Sequence, residues 1–130
     1  MLRGVVGRGW ATVELDRAVR ELAGLLADGM VFEEAPRSTL LGARSLRGRA
    51  DPGYPGGPAW IVILEPDTEG RLAGFLARHG EDWAATWVGG TPPDPPSRTT
   101  SGPLGDEWLA SGDPTTGPFM LRLAAATIDP

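Results

Sequence analysis

The stretch ILEPDTEGRLAGFLARHGEDWAATWV, Ile63 to Val88, constrains the fold of this chain more than any other. A short apolar strand runs into Glu65-Pro66. Pro66-Asp67-Thr68 then reads as the opening of a helix, with a capping side chain and Glu69 at its positive end. Leu72, Ala73, Phe75 and Leu76 form one apolar stripe. Arg78 and His79 fill the last turn and Gly80 closes it, as helix ends prefer. A strand from Trp83 to Val88 follows, carrying two tryptophans. Two strands and one helix stripe cannot hide their apolar faces from each other alone, so the unit must belong to a larger sheet.

The rest of the chain supplies that sheet. Val5 to Glu14 reads as a strand. Leu15 to Ala27 is the clearest helix, with Leu15, Ala18, Val19, Leu22, Leu25 and Leu26 on one stripe. Asp28-Gly29 ends it. Met30 to Glu34 reads as a short strand stopped by Pro36, and Thr39 to Arg47 as another. Asp51 to Pro58 (DPGYPGGP) must be a loop. Ala59 to Glu65 is a strong, largely buried strand. Gly89 to Gly105 has almost no apolar content and reads as a slack linker, with a lid as the alternative. Glu107 to Ser111 and Phe119 to Ala124 form a closing hairpin around GDPTTG. The order of elements does not alternate as a parallel α/β sheet would. It fits an α+β fold with a curved, mainly antiparallel sheet, in one domain over residues 1–130.

Composition narrows the chemistry. A chain of 130 residues, 41% apolar and 22% charged, has the length and balance of one globular domain. No apolar run approaches ~18 residues, and no signal-peptide core is seen, so a cytoplasmic protein is expected. The net charge of −5 with no basic block argues against nucleic acid and anionic membranes. The absence of cysteine removes disulfides, thiolate metal sites and cysteine nucleophiles. All 12 basic residues other than His79 are arginine, and lysine, asparagine and glutamine are absent. That bias points to a high-GC bacterial genome and excludes lysine chemistry.

Three stretches resemble the vicinal oxygen chelate superfamily of glyoxalase I, methylmalonyl-CoA epimerase, ring-cleaving dioxygenases and bleomycin-resistance proteins. ELDRAV, Glu14 to Val19, resembles the strand-to-helix junction of its first βαβββ module. ILEPDTEGRLAGFLARHGEDW resembles the epimerase-like subgroup. WLASGDPTTGPFMLRL, Trp108 to Leu123, resembles that subgroup's closing hairpin. The resemblance implies two βαβββ modules curving around one cavity. Residues 1–66 would form the first, and residues 67–130 a linking helix and a shortened second. It also implies a homodimer.

Members of the family hold a divalent metal on the first, fourth, fifth and last strands. Carried onto this sequence, those positions fall on Gly7 or Arg8, Val62, Ala85, and Leu121 or Arg122. None offers the imidazole or carboxylate such a metal needs. The resemblance therefore implies a member without metal, and no other cofactor is expected.

Strand alternation then suggests the cavity wall. If Val62 and Ala85 face inward, so do Trp60, Leu64, Trp83 and Trp87. If Leu121 does, so do Phe119 and Leu123. That wall suits an apolar or aromatic small molecule; the plain alternative is that the same aromatics fill a shrunken barrel. Glu65 is the candidate general base, with a helix-entry or rim place as its structural alternative. Arg8, Arg44 and Arg122 are candidate anion anchors, with a place on the solvent surface as the plain alternative, and Tyr54 is a loop residue that either closes over a ligand or anchors its loop. The glycines of GVVGRG lack the strand–helix context of a phosphate loop. Three functions follow as expectations: a metal-independent binder of an apolar or aromatic molecule, as in drug or metabolite sequestration; a metal-free isomerase, cyclase or lyase of specialised metabolism; or a degenerate structural or partner subunit.

Overall fold

A computed structural model describes residues 5–26, 31–49, 60–89, 99–111 and 118–123. The expected helix end at Asp28-Gly29, the DPGYPGGP loop with Tyr54, most of the Gly89–Gly105 stretch and the GDPTTG turn lie outside the described residues.

Seven strands form one curled sheet: β1 (Val5–Ala11), β2 (Phe32–Ser38), β3 (Ala43–Arg49), β4 (Trp60–Pro66), β5 (Asp82–Gly89), β6 (Glu107–Ser111) and β7 (Phe119–Leu123). Their order is β2-β3-β4-β1-β5-β7-β6. Helix α1 (Leu15–Leu26) follows β1, and α2 (Arg71–His79) lies between β4 and β5. Each half centres on a parallel pair, β1 with β4 and β5 with β7, and the halves join through antiparallel β1 and β5. The first half is a complete βαβββ unit. Among the described residues the second holds three strands and no helix of its own.

β4 is buried from Trp60 to Leu64 because both its faces are covered. Ile63 meets Leu15, Ala18 and Leu22 of α1 on the outer face. Trp60, Val62 and Leu64 belong to the larger inner cluster. The outer helix is pinned at its start, where the Leu15 N–H donates to Glu65 Oε2 at 3.3 Å. Burial of such stripes stabilises the fold by roughly 25 cal/mol per Å² of apolar surface.

Two expectations are corrected. Pro36 does not stop β2, which continues to Ser38. β2 is an edge strand with an irregularity between Ala35 and Ser38, where a missing N–H interrupts no ladder. Nor does Pro66-Asp67-Thr68 open α2. The helix starts at Arg71, after Gly70 at φ 130°, without a side-chain cap. A glycine is needed in that left-handed region. The Leu72 N–H instead donates to the Leu41 carbonyl, and Asp67 pairs with Arg37.

Candidate functional site on the inner face

Trp60, Val62 and Leu64 from β4, Ala85 and Trp87 from β5, and Phe119 and Leu121 from β7 lie in one buried cluster. Trp83 does not share that face, which corrects the alternation expected along β5. Gly9 pairs with Ala85 but Trp10 pairs with Trp83, so the register shifts by one residue between them. Such a bulge turns every later side chain to the other face. Trp83 packs edge-on against Trp10 at 5.2 Å, under the Arg8 guanidinium at 4.4 Å.

The inner cluster is filled by two further segments. Leu72 and Phe75 come from α2, and Leu104 from the residues before β6. The end of the Gly89–Gly105 stretch is therefore not slack, another correction. Pro103 and Leu104 are fully buried. The Ser101 carbonyl accepts from the Thr39 N–H at 3.2 Å, and the Pro103 carbonyl from Arg47 Nη1 at 2.7 Å. Two glycines of β1 make the room. A Cβ on Gly7 would stand 2.6 Å from Leu104 Cδ1, and one on Gly9 would stand 2.8 Å from Trp87 Cζ3.

Among the described residues, one carboxyl group lies against this apolar cluster, that of Glu107. Its side chain has no solvent exposure. The Trp87 indole N–H donates to Oε1 at 2.8 Å, and the Ser38 hydroxyl to Oε2 at 2.6 Å. Ser38 is itself held by the Leu41 N–H at 3.2 Å. Gly102 lies against the carboxyl so closely that a Cβ there would overlap it. Glu107 and Thr100 exchange both backbone hydrogen bonds, which fixes the segment over the side chain. Burial raises the carboxyl pKa to about 7, and the donors from Ser38 and Trp87 only partly oppose that. A group poised near neutrality on an apolar wall is the kind of feature around which sites are built.

The sequence reading passed over Glu107, taking it as the start of a strand. A signal was present. Glu107 and Leu109 share a face and pair with Leu123 and Leu121, both inward. Alternation run back from Leu109 would have put an acid on the wall.

The other polar candidates lie elsewhere. Glu65 accepts the Leu15 N–H and pairs with Arg44 Nη2 at 2.7 Å, beside α1. Both line an open cleft of about 720 Å³ on the outer side, with Glu14, Arg20, Glu34 and Arg37. Its charges are of both signs, unlike an apolar site. Arg8 stacks on Trp83, and Arg122 donates to the Gly89 carbonyl at 2.9 Å. None of these reaches the inner cluster, because alternation from Gly7, Leu64 and Leu121 turns each to the outer face.

The metal positions of the family can be tested on this geometry. Gly7, Val62, Ala85 and Leu121 are at the inner face and bring no donor atom. His79 ends α2, its ring 4.6 Å from that of Phe75. Among the described residues no three His, Asp or Glu side chains converge. These residues do not fit a divalent ion.

A curled sheet of two halves, each on a parallel strand pair, with α1 across the outside of the first, is a fold shared with solved methylmalonyl-CoA epimerases. That of Mycobacterium tuberculosis is 19% identical, with a TM-score of 0.69 over 94% of this chain and 91% of that one. That of Streptomyces coelicolor, in complex with 2-nitronate-propionyl-CoA, is 18% identical, with a TM-score of 0.70 over 96% and 100%. No family model and no curated relative matches the chain. At such identities the likeness is one of fold. No described helix is long and apolar enough to cross a membrane.

Proposed function

We propose that the protein binds an apolar or aromatic small molecule at the inner face, without a metal. The observation that carries this reading is the Glu107 carboxyl, held among Trp87, Ser38 and apolar side chains. A concave face that needed only filling would be served better by an apolar residue, because burying an ionisable group costs several kcal/mol. Fold-level likeness does not set the ligand. Trp60, Trp87 and Phe119 offer aromatic surface on the wall, which supports a ligand of that class.

A second reading is a metal-free isomerase, cyclase or lyase. One observation favours it. A carboxyl with its pKa near 7 exchanges a proton readily at neutral pH. In that reading Glu107 and not Glu65 moves the proton, since Glu65 is engaged by Leu15 and Arg44.

Native mass spectrometry of the protein purified without added metal tests both. A metal-free species carrying an extra organic mass supports the site. A stoichiometric divalent ion defeats it. Conversion of the co-purified molecule by wild type, but not by Glu107→Gln, would select the enzyme.

A further inference from the structure

The cleft on the outer side lies between the start of α1 and β2, and the end of β4 lines it too. Leu46 of β3 lies on its floor, paired with Glu34 on one side and Ile63 on the other. Its volume of about 720 Å³ has room for a molecule of dipeptide size. Seven of its lining residues carry charge, four carboxylates and three guanidiniums. Five of the seven are engaged within the protein. Arg44 holds Glu65, whose other oxygen accepts the Leu15 N–H. Arg37 pairs with Asp67. Asp16 stands in the first turn of α1, at the positive end of the helix. The charge of Glu14 acts on Arg17. Arg20 and Glu34 are the remaining two. They line the same cleft, one from α1 and one from β2, and form no ion pair or hydrogen bond with each other or with any other side chain among the described residues.

We propose that this cleft binds a zwitterion of dipeptide size with an apolar body, its anionic end at Arg20 and its ammonium at Glu34. The site is separate from the inner face and does not depend on the reading of that face. The charges around the cleft nearly cancel, so neither a plain anion nor a plain cation is drawn to it as a whole. A molecule with one charge meets one of the two free groups and leaves the other facing its apolar body. A molecule with both charges, held apart by its own length, meets both. Leu15, Ala35 and Leu46 supply the apolar surface between them. Arg20 and Glu34 are exposed, so each ion pair adds modestly to binding, about three- to fivefold.

The test is an NMR titration of the isotope-labelled full chain with leucyl-leucine, with its N-acetyl form, which lacks the ammonium, and with its C-terminal amide, which lacks the carboxylate. Leucyl-leucine should bind in the millimolar range, about three- to fivefold more tightly than either blocked form. It should move the amide signals of the first turns of α1 and of β2. Arg20→Gln should lower the affinity for leucyl-leucine to that of its amide, and Glu34→Gln to that of its N-acetyl form. Both positions are exposed, so the spectra of the variants should otherwise match wild type. Equal affinity of wild type for the three peptides overturns the zwitterion assignment. Binding that moves signals only outside α1, β2 and β3, or no saturable shift up to about 50 mM, overturns the site itself.

Discussion

Trp87 and Glu107 stand on strands that are not neighbours in the sheet, yet the indole N–H of one meets the carboxyl of the other at 2.8 Å. β7 runs between their strands in the sheet. The contact crosses it on the inner side, and Ser38 completes it from the far edge strand. A single buried acid thus ties β2, β5 and β6 together. The sheet must curl for three such distant strands to meet.

That acid leaves a pH signature on stability. Its pKa is raised from 4.5 to about 7, so the native state holds its proton where the unfolded chain has lost it. The contribution is complete below about 4.5 and disappears as pH rises through about 7. Its size is on the order of 3 kcal/mol. Urea midpoints at several pH values in wild type and Glu107→Gln should differ by this slope; parallel curves would refute it.

Glu81 works in the opposite sense. Hydrogen bonding to Arg17 is the main cause holding its carboxyl below the ordinary value, helped by the Val13 N–H and the Thr12 hydroxyl. Its contribution is present above the unfolded pKa and is lost as pH falls through the folded one. The pair is partly exposed, so its contribution is small. Glu81→Gln should show a smaller loss of stability on acidification than wild type, seen as a shallower fall in Tm.

Gly102→Ala should be poorly tolerated. The added methyl overlaps the Glu107 carboxyl, which its two hydrogen bonds hold in place. The segment must lift, at a cost of roughly 1–3 kcal/mol. Trp87 then becomes more accessible, which acrylamide quenching would register. Unchanged quenching and unchanged stability would contradict the packing described.

Leu104→Ala removes the one leucine that this segment puts into the inner cluster. A loss of about 2–5 kcal/mol is expected from urea unfolding.

Trp83 and Trp87 should separate in their response to ligand. Trp83→Phe changes the outer side, beside Trp10 and Arg8, and should leave ligand affinity unchanged. Trp87→Phe removes a donor from Glu107 and should alter affinity severalfold. An equal effect of the two would place the binding site elsewhere.

Much of this architecture is legible without coordinates. The stripes of α1 and α2, the buried run of β4 and the closing hairpin follow from periodicity, which is local and tied to backbone geometry. The inward place of Val62, Ala85 and Leu121 follows from position along strands. So does the aromatic wall, except at one residue. The bulge beside Gly9 that turns Trp83 outward is a property of paired strands, and no single strand announces it. The same holds for Pro36, harmless only because β2 is an edge.

What only the tertiary structure decided is the middle of the site. Ser38, Trp87, Gly102 and Glu107 are scattered over about half the chain, and each reads as unremarked in its own stretch. The curl of the sheet brings them to one point. Burial there gives Glu107 its raised pKa, and desolvation is a property of the surrounding fold and not of the residue. The sequence by itself determined the scaffold, because secondary structure and alternation are set by near neighbours. The chemistry the wall retains comes from residues far apart in the chain, so it is set by how the sheet closes.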